Sequence, residues 1–266
     1  MEKEIKYFPF GKPLQQVKQK DQTPKEVFVL GVYASAVHAR WLDSRNKQIV
    51  AALAVASEPE IFWRGEDADK IINEINIPTE IGHLEPAARN LNGPSGNVLD
   101  NLILAPLGYK RENSWLCDLL PESRVNKKQR LVIDKFYKQV INKYNLPEAT
   151  IPDFDNSELD SLERREEILL ELEASNAKTI ILLGDLPIQK FIKYHDKRYS
   201  RLADFGETID LYGKSHEIEI NNKKYSVIPL CHPRQAGKLG ASSTKWGELH
   251  DNWVKRNLAV LEVFSF

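Results

Sequence analysis

A three-layer αβα sandwich on a central parallel sheet is the α/β fold class this sequence predicts, and three observations predict it. Short apolar runs end at a glycine or just before a proline. Segments of helical period alternate with them, which is the pattern of a parallel sheet covered by helices on both faces. No internal repeat, low-complexity tract or long linker interrupts the alternation, so 26–266 reads as one domain behind an arm at 1–25. At 266 residues and 42% hydrophobic content, the chain can bury a sizeable core.

The elements follow in order. Residues 1–25 are polar and lysine-rich and lead into the first strand. The run EVFVL (26–30) ends at Gly31, as a buried strand does. After it, VHARWL and QIVAALAVASEP are split by the turn-like DSRNK and read as a hairpin. Residues 67–75 and 97–107 have a helical period, the second after a Gly-Pro-Ser-Gly turn. SWLCDL (114–119) is a second core strand, closed by Pro121. An amphipathic helix is expected over 127–146 and a proline-bearing loop over 147–154. The helix expected over 158–174 carries glutamates and arginines that read most simply as a solvated face. TIILL (179–183) is a third buried strand ending at Gly184, followed by a helix over 186–194. HEIEI, NNKK and YSVIPL form a hairpin, and 245–263 is helical.

Composition excludes several classes. A net charge of −1 argues against a broadly basic coat for nucleic acid but leaves room for a local positive face. Only Cys117 and Cys231 are present, which rules out a disulfide framework, predicts a reducing cytoplasm and cannot supply four ligands to an iron–sulfur cluster. No apolar run of about 18 residues occurs to span a membrane, and MEKEIKYFPF lacks the apolar stretch of a signal peptide. There is no GxGxxG after a strand, no Walker motif, HExxH, CxxC or GxSxG. His38, His83 and His216 have no mutual metal-ligand spacing. Neither a metal nor a cofactor is therefore expected.

In open α/β sheets the ligand site lies beyond the carboxyl ends of the strands. That brings together residues 31–35, 118–123 and 232–237. The order of segments resembles the uracil-DNA glycosylase superfamily, nearest to its thermophile-type iron–sulfur class without the cluster cysteines. VFVLGVYASA stands where that class has a GEAPG-like turn, GPSGNVLD where it has GRSGQLLD, and RENSWLCDLLP where it has REDVYITN. TIILLG stands for VIVALG, and PLCHPR for the HPS turn. The match runs from about residue 26 to about residue 253.

The resemblance implies a monofunctional DNA glycosylase whose partner is DNA with a flipped base. His232 matches the histidine that stabilises charge on the leaving base, which is the favoured reading; the alternative is a turn histidine satisfied by backbone. Asp118 lies where the family usually has asparagine. An ionised aspartate only accepts hydrogen bonds, so it repels uracil O4, whereas a protonated one can also donate. Asp118 thus opens the choice of base, or else orders a loop. Tyr33 and Ala34 replace the water-activating residue and the proline of the first motif, and Tyr33 with Gly31 and Val32 would line the other side of a base pocket. Tyr33 is equally a core tyrosine. If Ser35 opens a helix, its N–H groups, with Arg40, would hold a phosphate; VHARW suits a strand as well. Ser95, Ser242 and Ser243 would pinch the DNA backbone, Arg234 and Lys238 would add positive charge, and Leu239 is the candidate wedge. Two other functions stay open: a non-catalytic module that binds DNA, a base or a nucleotide, and a hydrolase of small nucleotides.

Overall fold

Residues 4–239 and 244–263 are described by a computed structural model of the chain. They fall into two compact units, each assembled from separated stretches. The first holds the residues up to Val17, Tyr33–Pro94 and Pro121–Asp155; the second holds Lys18–Val32, Ser95–Leu120 and the residues from Asn156 onward. Among the described residues eight strands follow one another: β1 (Val27–Tyr33), β2 (Ala36–Leu42), β3 (Gln48–Ser57), β4 (His83–Pro86), β5 (Ser114–Leu120), β6 (Thr179–Leu183), β7 (His216–Ile220) and β8 (Lys223–Leu230).

The second unit carries a five-stranded, mostly parallel sheet in the order β5-β1-β6-β8-β7, with helices, and the chain is α/β as the alternation predicts. β1, β6 and β8 run parallel, with Val29 opposite Ile181 and Ile181 opposite Ile228. The side chains of β1 and β6, and of β8 from Val227 to Leu230, are almost wholly buried, which is why these stretches read as apolar runs rather than alternations. β7 joins β8 antiparallel through a two-residue turn. Asn221 and Asn222 both take positive φ, +50° and +60°, the conformation such a hairpin needs and asparagine tolerates. Pairing with β7 ends at Val227, so Pro229 falls where β8 needs no amide on that side.

Helix Leu162–Ser175 packs on β5. It is capped by the Ser161 hydroxyl, which accepts from the Arg164 N–H at 3.3 Å. Its charged residues are not all a solvated face. Arg164 is 11% exposed and donates to the carbonyls of Asp118 at 2.7 Å and Leu119 at 3.3 Å. Glu171, 17% exposed, balances it at 2.9 Å and accepts from the Trp115 indole. β5 is an edge of the sheet, and an arginine is long enough to cover carbonyls that no further strand reaches.

The first unit is built on the antiparallel sheet β3-β2-β4. β2 and β3 form the expected hairpin across DSRNK. β4 is only four residues and has no strand signal of its own; it pairs with β2, Trp41 opposite Leu84. The ring of Phe10 meets Trp41 and Tyr137 edge-on, with centroids 5.5 and 4.9 Å away. Phe8 and Phe10 are buried here, so the lysine-rich start of the chain contributes to this core.

Candidate functional site

The parallel strands of the second unit direct their carboxyl ends to one edge of the sheet, the place where this architecture binds ligands. Leu30, Leu182 and Pro229 lie level across β1, β6 and β8. The residues that follow, Gly31 and Val32, Gly184, and His232, therefore emerge together. Gly31 lies inside β1, because the strand runs on to Tyr33 instead of turning at the glycine. Both Gly31 and Val32 are buried.

His232 begins the turn after β8. The last sheet bond is the Gly184 N–H to the Leu230 carbonyl, 2.8 Å. Gly184 has φ +91°, and a Cβ there would stand 3.2 Å from the Cβ of His232. Only glycine lets β6 end this close to the histidine. His232 caps the short helix Pro233–Ala236, and its Nδ1 accepts from the Arg234 N–H at 3.1 Å. An amide N–H can only donate, so Nδ1 carries no proton. Burial, with the charge of Arg234 beside it, lowers the His232 pKa to about 4. The imidazole is therefore neutral near pH 7, with its one proton on Nε2. The turn holds that N–H donor in a fixed orientation.

The rest of this turn folds back on itself. Leu239 N–H bonds the Arg234 carbonyl at 2.8 Å, and Arg234 Nε bonds the Leu239 carbonyl at 3.0 Å. Lys238 takes a positive φ and pairs with Asp251. Gly237 presses on the helix Pro94–Val98: a Cβ there would come 2.4 Å from Val98 Cγ2. This contact sets the turn that carries Arg234 and Lys238 against the helix that carries Ser95. Ser242 and Ser243 lie outside the described residues.

Asp118 sits on β5 and is 3% exposed. Side chains alternate along a strand, and Trp115 and Cys117 are those that meet Glu171 and Arg164. Asp118 belongs to the other face. Among the described residues its Oδ1 has no hydrogen-bond partner. Burial raises its pKa to about 7, against the attraction of Arg164 and with a further push from Glu171. A buried carboxyl oxygen without a partner is costly to keep, so Asp118 Oδ1 marks a place where a ligand could supply the missing bond.

The first unit holds the remaining expected residues. Tyr33 packs against Phe154, ring centroids 4.9 Å apart and planes tilted by 31°. Ser35 opens no helix: β2 begins at Ala36, and the Ser35 N–H donates to Glu58 Oε1 at 2.9 Å. A buried carboxylate thus occupies the amide that was expected to meet a phosphate. Arg40 is exposed on β2 and donates its Nε to Glu85 on β4 at 2.8 Å.

Sequence reasoning missed Gly184 as a neighbour of His232, Arg164, and a buried pair, Tyr212 and His250. Only Gly184 had a signal, its place at the end of a buried strand. Among the described residues no three histidine, cysteine or carboxylate groups are placed to hold a metal, and no helix is long and apolar enough to cross a membrane. No protein-family model matches the chain, and no curated protein matches its sequence.

Proposed function

We propose that the chain is a monofunctional DNA glycosylase of the uracil-DNA glycosylase type, with its sheet at the centre of a three-layer sandwich, acting in base-excision repair in the cytoplasm. The observation that carries this reading is the neutral His232, whose Nδ1 is committed to a backbone amide and whose Nε2–H remains to donate. When an N-glycosidic bond breaks, its electron pair leaves with the base, and the negative charge collects on a ring carbonyl oxygen. A preoriented neutral donor stabilises that charge without reorganising at the moment of reaction. Water then adds to the sugar carbon and loses a proton. The route calls for no cofactor.

Asp118 supports the same reading as the group for the base's pairing edge. Protonated, it donates and accepts at once; ionised, it only accepts. Arg234, Lys238 and Ser95 suit contacts to the DNA backbone, and Leu239 suits the gap a flipped base leaves. Gly31 and Val32 would close the pocket. One observation favours a second reading, a non-catalytic binder of DNA, a base or a nucleotide. The turn after β1 has no acid of its own to activate water, and Glu58 is engaged by the Ser35 N–H.

The test is a glycosylase assay on oligonucleotides carrying uracil, hypoxanthine, xanthine or altered cytosines, followed by alkali. Strand breaks with the wild type and none with His232→Ala are expected. No break on any substrate, with DNA or base binding retained, would establish the binder instead.

A further inference from the structure

Cys231 is the first residue beyond the sheet, so its N–H has no strand to pair with. The Tyr212 hydroxyl accepts it at 2.8 Å. Tyr212 in turn lies 2.8 Å from Nδ1 of His250, and His250 Nε2 lies 2.8 Å from the Leu102 carbonyl. Every proton in this chain of contacts is determined. A carbonyl only accepts, so His250 Nε2 carries the hydrogen. Burial lowers the His250 pKa to about 4, so the ring is neutral near pH 7 and Nδ1 is an acceptor. Tyr212 must then donate to Nδ1 and accept from Cys231.

Both ends of the relay are firm. Leu102 lies in a π-helical turn, Leu99–Leu104, and four residues on Pro106 has no amide to offer its carbonyl. His250 supplies a donor there. At the other end, Tyr212 is held by the helix Thr244–Val263. Trp253 Nε1 donates to the Gly213 carbonyl at 3.3 Å, and Arg256 Nη1 to the Ile209 carbonyl at 2.8 Å. Tyr212 and His250 are 1% and 0% exposed. Neither reaches solvent, so neither acts on a ligand directly.

We propose that Tyr212 and His250 are positioning residues that set the direction in which the chain leaves β8 and thereby the orientation of the His232 Nε2–H. The role of that donor rests on the function proposed above. The relay fixes the backbone one residue before His232, and the Arg234 amide fixes the ring itself. Loss of the first releases the second, because both lie on the same short turn.

The decisive variants are Tyr212→Phe, His250→Leu and His250→Gln. Phenylalanine and leucine each remove a link. Glutamine keeps one acceptor and one donor at similar reach. The readout is the ring-nitrogen NMR spectrum of His232, assigned by its disappearance in His232→Ala. In the wild type it shows protonated Nε2 and bare Nδ1. Tyr212→Phe and His250→Leu are expected to mix the two tautomers and to slow base release by about 10- to 100-fold, with the KM for the oligonucleotide little changed. His250→Gln is expected to retain the wild-type pattern. A folded Tyr212→Phe with an unaltered His232 spectrum would overturn the proposal, as would leucine and glutamine behaving alike at position 250. If Tyr212→Phe does not fold, the His250 pair decides alone. If the wild type releases no base, the glycosylase reading fails, while the nitrogen spectra still decide the positioning role.

Discussion

Replacing Asp118 by asparagine keeps the shape of the side chain and removes its charge, so it isolates the cost of burying that carboxyl. Burial raises the Asp118 pKa from an ordinary 3.8 to about 7. The folded protein therefore binds a proton that the unfolded chain has already lost, and stability falls as pH rises between these values. The slope is about 1.4 kcal/mol per pH unit, and the full penalty, reached above pH 7, is about 4 kcal/mol. The Asp118→Asn variant has no such slope, because an amide does not titrate. Urea unfolding of both proteins at pH 5, 6, 7 and 8 measures the difference. The variant is expected to gain about 3 kcal/mol on the wild type between pH 5 and 8. His232 and His250 titrate in part of the same range, but they are common to both proteins and cancel in the comparison. A difference independent of pH would refute the reasoning, because Asp118 would then be ionised throughout or supplied with a partner.

Three further perturbations follow from the same geometry. Arg164→Ala leaves the β5 carbonyls uncovered and Glu171 unpaired, and should destabilise the protein by about 2–4 kcal/mol in chemical denaturation, with Arg164→Lys intermediate. Gly184→Ala forces a Cβ into a left-handed backbone beside His232; a loss of about 1–2 kcal/mol and a shifted His232 ring spectrum are expected, and an unchanged spectrum would count against their contact. Gly237→Ala should clash with Val98 and weaken any oligonucleotide binding. Adding Val98→Ala should restore part of that loss in a double-mutant cycle, whereas strict additivity would mean the two do not touch.

The course of the chain was largely legible in its residues. The apolar runs 114–119 and 179–183 and the pair HEIEI and YSVIPL are strands within one or two residues of where they were expected, β1 runs three residues past its expected end at Leu30, and the helices at 127–144, 162–175 and 244–263 match their periods. His232 was legible too, because a His-Pro pair at a strand's end announces a turn. These features are local: period, turn residues and strand termini lie within a few positions of one another.

What the tertiary structure alone decided is which distant groups meet. The two units interleave three stretches of chain each, so no linker marks their boundary. HLEP becomes a strand only because β2 offers it an edge. Arg164 looked like a surface residue of a charged helix until the uncovered β5 carbonyls lay beside it. Tyr212 meets a histidine 38 positions away, and that histidine meets a carbonyl 148 positions away. Hydrophobic periodicity states which side of an element is buried, but not what is buried against it. A buried polar group must find a specific partner, and the partner is chosen by packing across the whole fold.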